Sequence, residues 1–205
     1  MSSFRRRMMM AAKQGRILPS EYQLLPYIVI GGSTCFKTGF IPTTMCRVEL
    51  TFKGVASNSS IAGIYFGCRE GYNNKSFYFC GRASSGSATS ITAELGWNTI
   101  RTVSANVDAH DKNTIGVHNG EFYINDTILA TYTNTFSPTR ELYLFALNNA
   151  GSKFTSISTP NGYFYSSQIW DNDGNLIRDY VPVKRLSDNR KGIYDFVNNT
   201  FTTSS

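Results

Sequence analysis

Tyr163-Phe164-Tyr165-Ser166-Ser167-Gln168-Ile169-Trp170, then Asp171-Asn172-Asp173-Gly174-Asn175, then Leu176-Ile177-Arg178-Asp179-Tyr180-Val181-Pro182-Val183: this run decides the fold. Two segments rich in β-branched and aromatic residues flank five residues suited to a tight reversal. Asp, Asn and above all Gly tolerate the positive φ that a short turn demands. The run therefore predicts an antiparallel hairpin.

The same grammar repeats upstream. Val48-Glu49-Leu50-Thr51-Phe52 alternates apolar and polar residues, the period of a half-buried strand. Ile64-Tyr65-Phe66-Gly67-Cys68 and Phe77-Tyr78-Phe79-Cys80 are apolar runs joined by the turn-rich Glu70 to Ser76. Glu121 to Leu129 reads as two strands about Asn125-Asp126, preceded by the tight turn His118-Asn119-Gly120. Glu141-Leu142-Tyr143-Leu144-Phe145-Ala146-Leu147 is almost continuously apolar and predicts one strand covered on both faces. Ala83 to Ser90, rich in Gly and Ser, predicts a loop. Beyond Glu21 there is no helical periodicity, internal repeat or linker. Short strands at this spacing predict an all-β, antiparallel two-sheet sandwich over 21–205 as a single domain.

Composition agrees. The 205 residues are 41% hydrophobic, 14% aromatic and only 17% charged, which excludes a coiled coil, a helical repeat and a disordered tail. Net charge is +6, but Arg5, Arg6, Arg7, Lys13 and Arg16 supply +5 within the first twenty residues, which hold no acid. That leaves +1 for 21–205, so the basicity belongs to an N-terminal arm, 1–20. A sequence-specific nucleic-acid binder spreads its basic patch over the folded face that reads the groove, so no such role is expected. Met, Ala, Arg, Lys and Gln make the arm compatible with a helix from Phe4 to Lys13, ended by Gly15 and Pro19. About a dozen residues is marginal for a helix alone in water, so the arm orders only against something else. Met8-Met9-Met10-Ala11-Ala12 is too short for a secretory signal or a membrane span, so neither export nor a membrane is expected.

Catalytic and metal chemistry have little to stand on. His110 and His118 lie in polar, turn-like stretches, next to no Ser or Cys nucleophile motif. Glycoside hydrolysis needs two carboxylates held at close spacing, and the single Asp-x-Asp, Asp171-Asn172-Asp173, falls inside the predicted turn. Asp171-x-Asp173-x-Asn175 imitates the start of a calcium loop, but Leu176 and Pro182 stand where Gly and Glu are wanted. Cys35, Cys46, Cys68 and Cys80 match no zinc spacing. Cys68 and Cys80 lie on two arms of a hairpin that can bring them face to face. With no export signal, all four are expected as buried thiols. No enzyme, cofactor or metal is expected. Glycan recognition fares better, because it stacks rings on sugar faces while amides bond hydroxyls. Tyr72-Asn73-Asn74 and Trp97-Asn98 are the candidate ligand residues; in the opposing reading Trp97 belongs to the core and Tyr72 caps a turn.

Several motifs resemble one family. Glu21-Tyr22, Tyr27-Ile28 and Thr38-Gly39-Phe40-Ile41-Pro42 resemble the opening of a concanavalin A-like, laminin-G-like jelly-roll module of phage virions, phages of gut bacteria in particular. The likeness continues in Phe66-Gly67-Cys68-Arg69, Phe122-Tyr123-Ile124-Asn125-Asp126 and Leu142-Tyr143-Leu144-Phe145-Ala146. Its most specific part is Ile169-Trp170-Asp171, Leu176 to Val183, and Gly192-Ile193-Tyr194-Asp195-Phe196-Val197-Asn198-Asn199. Phe4-Arg5-Arg6-Arg7-Met8-Met9 resembles the basic start of such proteins. Lys37 stands where the family usually has an acid, so a ligand or ion role for that acid does not carry over.

The resemblance implies a jelly roll and a structural role in the virion, as capsid decoration or part of a head or tail fibre. The module would face outward with host or mucosal glycans as ligands. Phe4, Arg5, Arg6, Arg7, Met8 and Met9 would dock it on other virion proteins, since Met adapts to irregular grooves and Arg pairs with carboxylates. A homo-oligomer is compatible with this, although nothing in the sequence encodes threefold symmetry. The competing expectations are a free-standing bacterial carbohydrate-binding module and an enzyme of the glucanase type.

Overall fold

The computed structural model describes residues 16–31, 34–54, 63–71, 75–83, 89–95, 100–105, 111–131, 135–153 and 162–205, with backbone alone over 81–83, 89–95 and 100–105. Among these residues there is no helix. The strands are β1 (Tyr22–Leu24), β2 (Ile28–Ile30), β3 (Phe36–Lys37), β4 (Arg47–Lys53), β5 (Gly63–Arg69) and β6 (Phe77–Ala83). Then come β7 (Thr89–Leu95), β8 (Ile100–Ala105), β9 (Asn113–His118), β10 (Glu121–Ile124), β11 (Thr127–Thr131) and β12 (Tyr143–Leu144). β13 (Leu147–Asn149), β14 (Ser152–Lys153), β15 (Gly162–Trp170), β16 (Leu176–Arg185), β17 (Lys191–Asp195) and β18 (Thr200–Thr202) complete the chain.

They form two sheets. The larger runs β11-β10-β9-β4-β15-β16-β17-β18, and the smaller β14-β13-β5-β6-β7-β8, with β3 joined through β12. Groups of strands alternate between the layers, β4 to β5–β8, back to β9–β11, across to β12–β14, and back to β15–β18. Pairing is antiparallel except between β13 and β5. This is an antiparallel two-sheet jelly-roll sandwich.

The deciding hairpin forms as its sequence requires. Ser167 to Trp170 pairs with Leu176 to Tyr180. The Asp171 carboxylate closes the turn, accepting from the backbone N–H groups of Asp173 (3.0 Å) and Asn175 (2.8 Å). Beyond Ser167 the two strands diverge, and the N-terminal strands fill the fork. β2 pairs with Gly162 to Phe164, and β1 pairs with Val183 to Arg185.

Burial follows the alternation. Along β4, Val48, Leu50 and Phe52 are fully buried while Arg47, Glu49, Thr51 and Lys53 face out. The layers meet through aromatic pairs: Phe52 on Tyr65 (centroids 4.3 Å), Phe79 on Phe122 (4.7 Å) and Phe145 on Phe164 (5.7 Å). Each such ring contributes about 1.5–3 kcal/mol on burial.

Three expectations need correction. Glu141 to Leu147 is buried as its composition demands, but it is two strands, β12 and β13. Phe145 adopts φ 61° and donates its N–H to the Tyr65 carbonyl, so the chain reverses against β5. β12 runs antiparallel to β5 and β13 parallel to it, both against Gly67. Cys68 and Cys80 do sit on a hairpin, yet its register sets Phe77 opposite Cys68 and Ile64 opposite Cys80. Cys68 belongs to the inter-sheet core and Cys80 to a separate cluster with Ile64, Tyr78 and Leu147. All four cysteines are buried thiols. The loop expected from Ala83 to Ser90 is shorter, because Ala83 ends β6 and Thr89-Ser90 begin β7; 84–88 lie outside the described residues.

Candidate functional site

The ligand residues suggested by sequence, Tyr72, Asn73, Asn74 and Trp97, lie outside the described residues. So do Phe4, Arg5, Arg6, Arg7, Met8 and Met9 of the docking arm and the helix expected from Phe4 to Lys13. What the structure adds is a different surface, the outward face of the larger sheet.

The motif residues first have to be set apart, because they do something else. Asp195, 1% exposed, accepts from the N–H groups of Asp179 and Val197 (both 3.0 Å) and from Asn198 Nδ2 (2.7 Å). Arg178 Nε lies 3.6 Å from its carboxylate and donates to the Thr38 carbonyl at 2.9 Å. Tyr180 Oη donates to the same carbonyl (3.1 Å), and Thr38 Oγ1 donates to the Leu142 carbonyl (2.7 Å). Thr38, Leu142, Arg178, Tyr180, Asp195 and Asn198 come from four separated stretches that carry the family likeness. They meet in a knot tying the 38–40 loop to the C-terminal strands, so the likeness tracks architecture rather than a ligand.

The outward face is organised along β15. Phe164 and Ile169 point into the core, which leaves Tyr163, Tyr165, Gln168 and Trp170 outside; a register shift between Phe164 and Ser166 makes Tyr165 the extra residue of a bulge. From Tyr163 to Trp170 the stripe runs roughly 20 Å at normal strand rise.

At one end Trp170 is braced by Arg47, whose guanidinium carbon lies 4.4 Å from the ring centroid. Arg47 also donates through Nε (2.9 Å) and Nη2 to Glu49 Oε1. Tyr123 Oη donates to the same oxygen at 2.6 Å, and burial together with this bond raises the phenol's pKa. Tyr123 reaches Glu49 only because β9 presents Gly116 between them; a Cβ at 116 would collide with the ring tip. Gln168, paired opposite Glu49, donates to Asp179 Oδ1 (3.1 Å), and Arg16 holds Asp179 Oδ2. Glu49 Oε2 and Gln168 Oε1 accept no hydrogen bond from the described residues. They stand as adjacent acceptors beside the Trp170 ring, on strands about 4.8 Å apart.

At the other end Tyr27 packs edge-on against Tyr163 (4.7 Å) and faces Tyr165 (6.2 Å). Lys112 Nζ stands 4.1 Å from the Tyr165 centroid. Tyr27 is 41% and its neighbour Val29 64% exposed, so this end is open to solvent.

Glu49 and Asp179 are the outward carboxylates nearest to one another in kind, on β4 and β16 with β15 between, so roughly 10 Å apart by strand spacing. Each is bound by an arginine. Sequence spacing had no means of pairing them, because 130 residues separate them and only the strand order makes them neighbours. The calcium-like Asp171 stretch is turn chemistry: hydrogen bonds from Asn175, then from the Asp173 and Gly174 amides, hold the Asp171 carboxyl below its ordinary value. No group of three metal-ligating side chains occurs among the described residues, and no described helix is long and apolar enough to cross a membrane.

The strand order and the ring-bearing outer face define an antiparallel jelly-roll sandwich with an aromatic stripe along its larger sheet. No family model and no curated protein matches the chain. Among solved structures it is similar to a native heptameric SAP-like pentraxin from Limulus polyphemus, at TM-score 0.47 and 10% identity over 73% of this chain and 68% of that one. It is also similar to the CBM40 of a Ruminococcus gnavus IT-sialidase bound to α2,3 sialyllactose, at TM-score 0.49 and 13% identity over 74% and 95%. The same CBM40 in a second structure gives TM-score 0.49 and 13% identity over 72% and 90%. Identities this low carry no ligand across, and the architecture stands on the strand pairing itself.

Proposed function

We propose that the chain is a glycan-binding jelly-roll module, displayed on a phage virion through its basic N-terminal arm. One observation carries the binding reading: Trp170, fixed by Arg47, stands beside the unoccupied acceptors Glu49 Oε2 and Gln168 Oε1. A ring for a sugar face with two neighbouring acceptors for hydroxyls is the minimum that carbohydrate recognition requires. The role is binding without turnover: Glu49 and Asp179, on the strands either side of β15, are each engaged by an arginine. Reducing-end release from a polysaccharide panel would overturn that part.

A glycan array tests the site. Trp170→Ala should weaken binding roughly tenfold or more, from the ring area lost, and Gln168→Ala should weaken it less. Silence across the array refutes the reading. Loss confined to Tyr72→Ala or Trp97→Ala refutes the stripe and moves the site to those loops.

Display on the particle is supported by the sequence resemblance and by the concentration of charge and methionine in 1–20. Deleting residues 1–15, which keeps the Arg16–Asp179 pair, should abolish particle incorporation and leave the fold intact. Unchanged incorporation removes the docking role. The stripe would equally serve a free-standing bacterial carbohydrate-binding module; capsid and tail genes beside this one, rather than polysaccharide-degrading enzymes, separate the two.

A further inference from the structure

We infer that residues 1–15 of the chain itself occupy the Trp170 end of the stripe until a partner draws the arm off; as regulation of a glycan site this rests on the reading above. The described chain begins on that face. Tyr22 is paired with Arg185, whereas Arg16 reaches Asp179, further back along the same strand, so 16–21 doubles back over β16 through the turn closed by the Tyr22 N–H and the Pro19 carbonyl (3.0 Å). Asp179 is paired opposite Gln168, and its other oxygen accepts from Gln168. The first described cation of the arm is therefore bound to the outward face, one strand from the open acceptor Gln168 Oε1. Ile17 beside it is 85% exposed, so the chain meets this point on the solvent side of the sheet.

Length and chemistry fit the segment to the stripe. Fifteen residues reach at most about 50 Å when extended and about 22 Å as a helix, against a stripe of roughly 20 Å. Residues 1–15 hold Arg5, Arg6, Arg7 and Lys13 and no acid, together with Phe4, Met8, Met9 and Met10. The stripe presents the complement: the rings of Trp170, Tyr163 and Tyr27 for guanidinium and thioether groups, and Glu49 Oε2 with Gln168 Oε1 for N–H donors. Arg47 over Trp170 and Arg16 on Asp179 are the same two kinds of contact already made on this face. Tethering makes weak contacts sufficient, because a joined segment competes at an effective concentration in the millimolar range. Arm and glycan then exclude one another, and a protein that binds the arm uncovers the site.

The full chain with a photo-reactive benzoylphenylalanine in place of Met9 is irradiated without ligand, and its adducts are mapped by mass spectrometry. Adducts within one chain to residues 163–170 or to Tyr27 are expected. Adducts confined to other surfaces, no adducts, or adducts between two chains that grow with concentration would overturn the inference. Limited trypsin digestion of the full chain gives a second reading. Cleavage after Arg5, Arg6 and Arg7 should speed up about threefold in Trp170→Ala, the loss of one exposed cation–ring contact, and stay slow in Trp170→Phe, which keeps a ring. Equal rates in all three chains would also overturn it. On the glycan array, Arg5→Gln, Arg6→Gln and Arg7→Gln together should raise binding about threefold or more. Binding unchanged by the triple substitution sinks the inference and leaves the glycan reading standing. An array silent for both chains ends the glycan reading; the adduct map, which needs no glycan, then upholds or overturns the place of the arm by itself.

Discussion

Replacing Asp195 by alanine tests whether the knot beneath the family motifs holds the C-terminal strands to the rest of the sandwich. The carboxylate is 1% exposed and serves four groups: the amides of Asp179 and Val197, the Asn198 side chain and the Arg178 guanidinium. Each buried N–H left without an acceptor costs about 1–3 kcal/mol, and removing one partner of a buried ion pair costs about 3–5 kcal/mol. The penalties overlap, because the same relaxation that admits water to the amides also solvates Arg178, so the expected loss is about 4 kcal/mol. That is a large share of the roughly 5–15 kcal/mol stabilising an ordinary domain. For a chain of this size it lowers Tm by about 8–16 °C. Urea unfolding followed by tryptophan fluorescence should show the midpoint falling with m unchanged. Asp195→Asn keeps one acceptor oxygen for the two amides and loses only the charge, so it should cost about half as much. A loss below about 1 kcal/mol for alanine, or asparagine faring worse than alanine, would refute this account of the knot.

Gly116→Ala should push the Tyr123 ring off β9 and break its bond to Glu49, costing about 1–2 kcal/mol of stability; weakened glycan binding with an intact fold checks it. Burial holds the Cys46 thiol up at about 11 and raises Cys68 further, so a thiol reagent at neutral pH should label neither in the native protein and both after denaturation. Asp188 is held at about 2, first by its hydrogen bond from Arg185. A depressed carboxylate contributes stability that is complete above its ordinary value and is lost as pH falls towards 2. An NMR titration should therefore place its midpoint near 2 in the native chain and move it up towards the ordinary value in Arg185→Gln, where the Arg190 amide and guanidinium still hold it down.

Local chemistry made most strands legible. The Asp171–Asn175 reversal, the alternation of 48–52 and the turns at Asn119-Gly120 and Asn125-Asp126 are written in adjacent residues, because positive φ and period-two burial are short-range requirements. What adjacency cannot express is register. Nothing near Phe145 announces its left-handed conformation, which exists because the Tyr65 carbonyl accepts its N–H from 80 residues away in the chain. For the same reason the hairpin of Cys68 and Cys80 was readable while the positions opposite them were not.

The candidate site divides along the same line. Composition and pattern alone dictate a weakly charged β sandwich and a concentration of basic residues in 1–20, since both follow from counting side chains and their alternation. The outward stripe is a tertiary fact: Arg47, Glu49, Tyr123, Gln168 and Asp179 share one face only after β10, β9, β4, β15 and β16 are laid side by side in that order. A sheet converts strands remote in sequence into neighbours about 4.8 Å apart, and it is this conversion that sets two open acceptors beside Trp170.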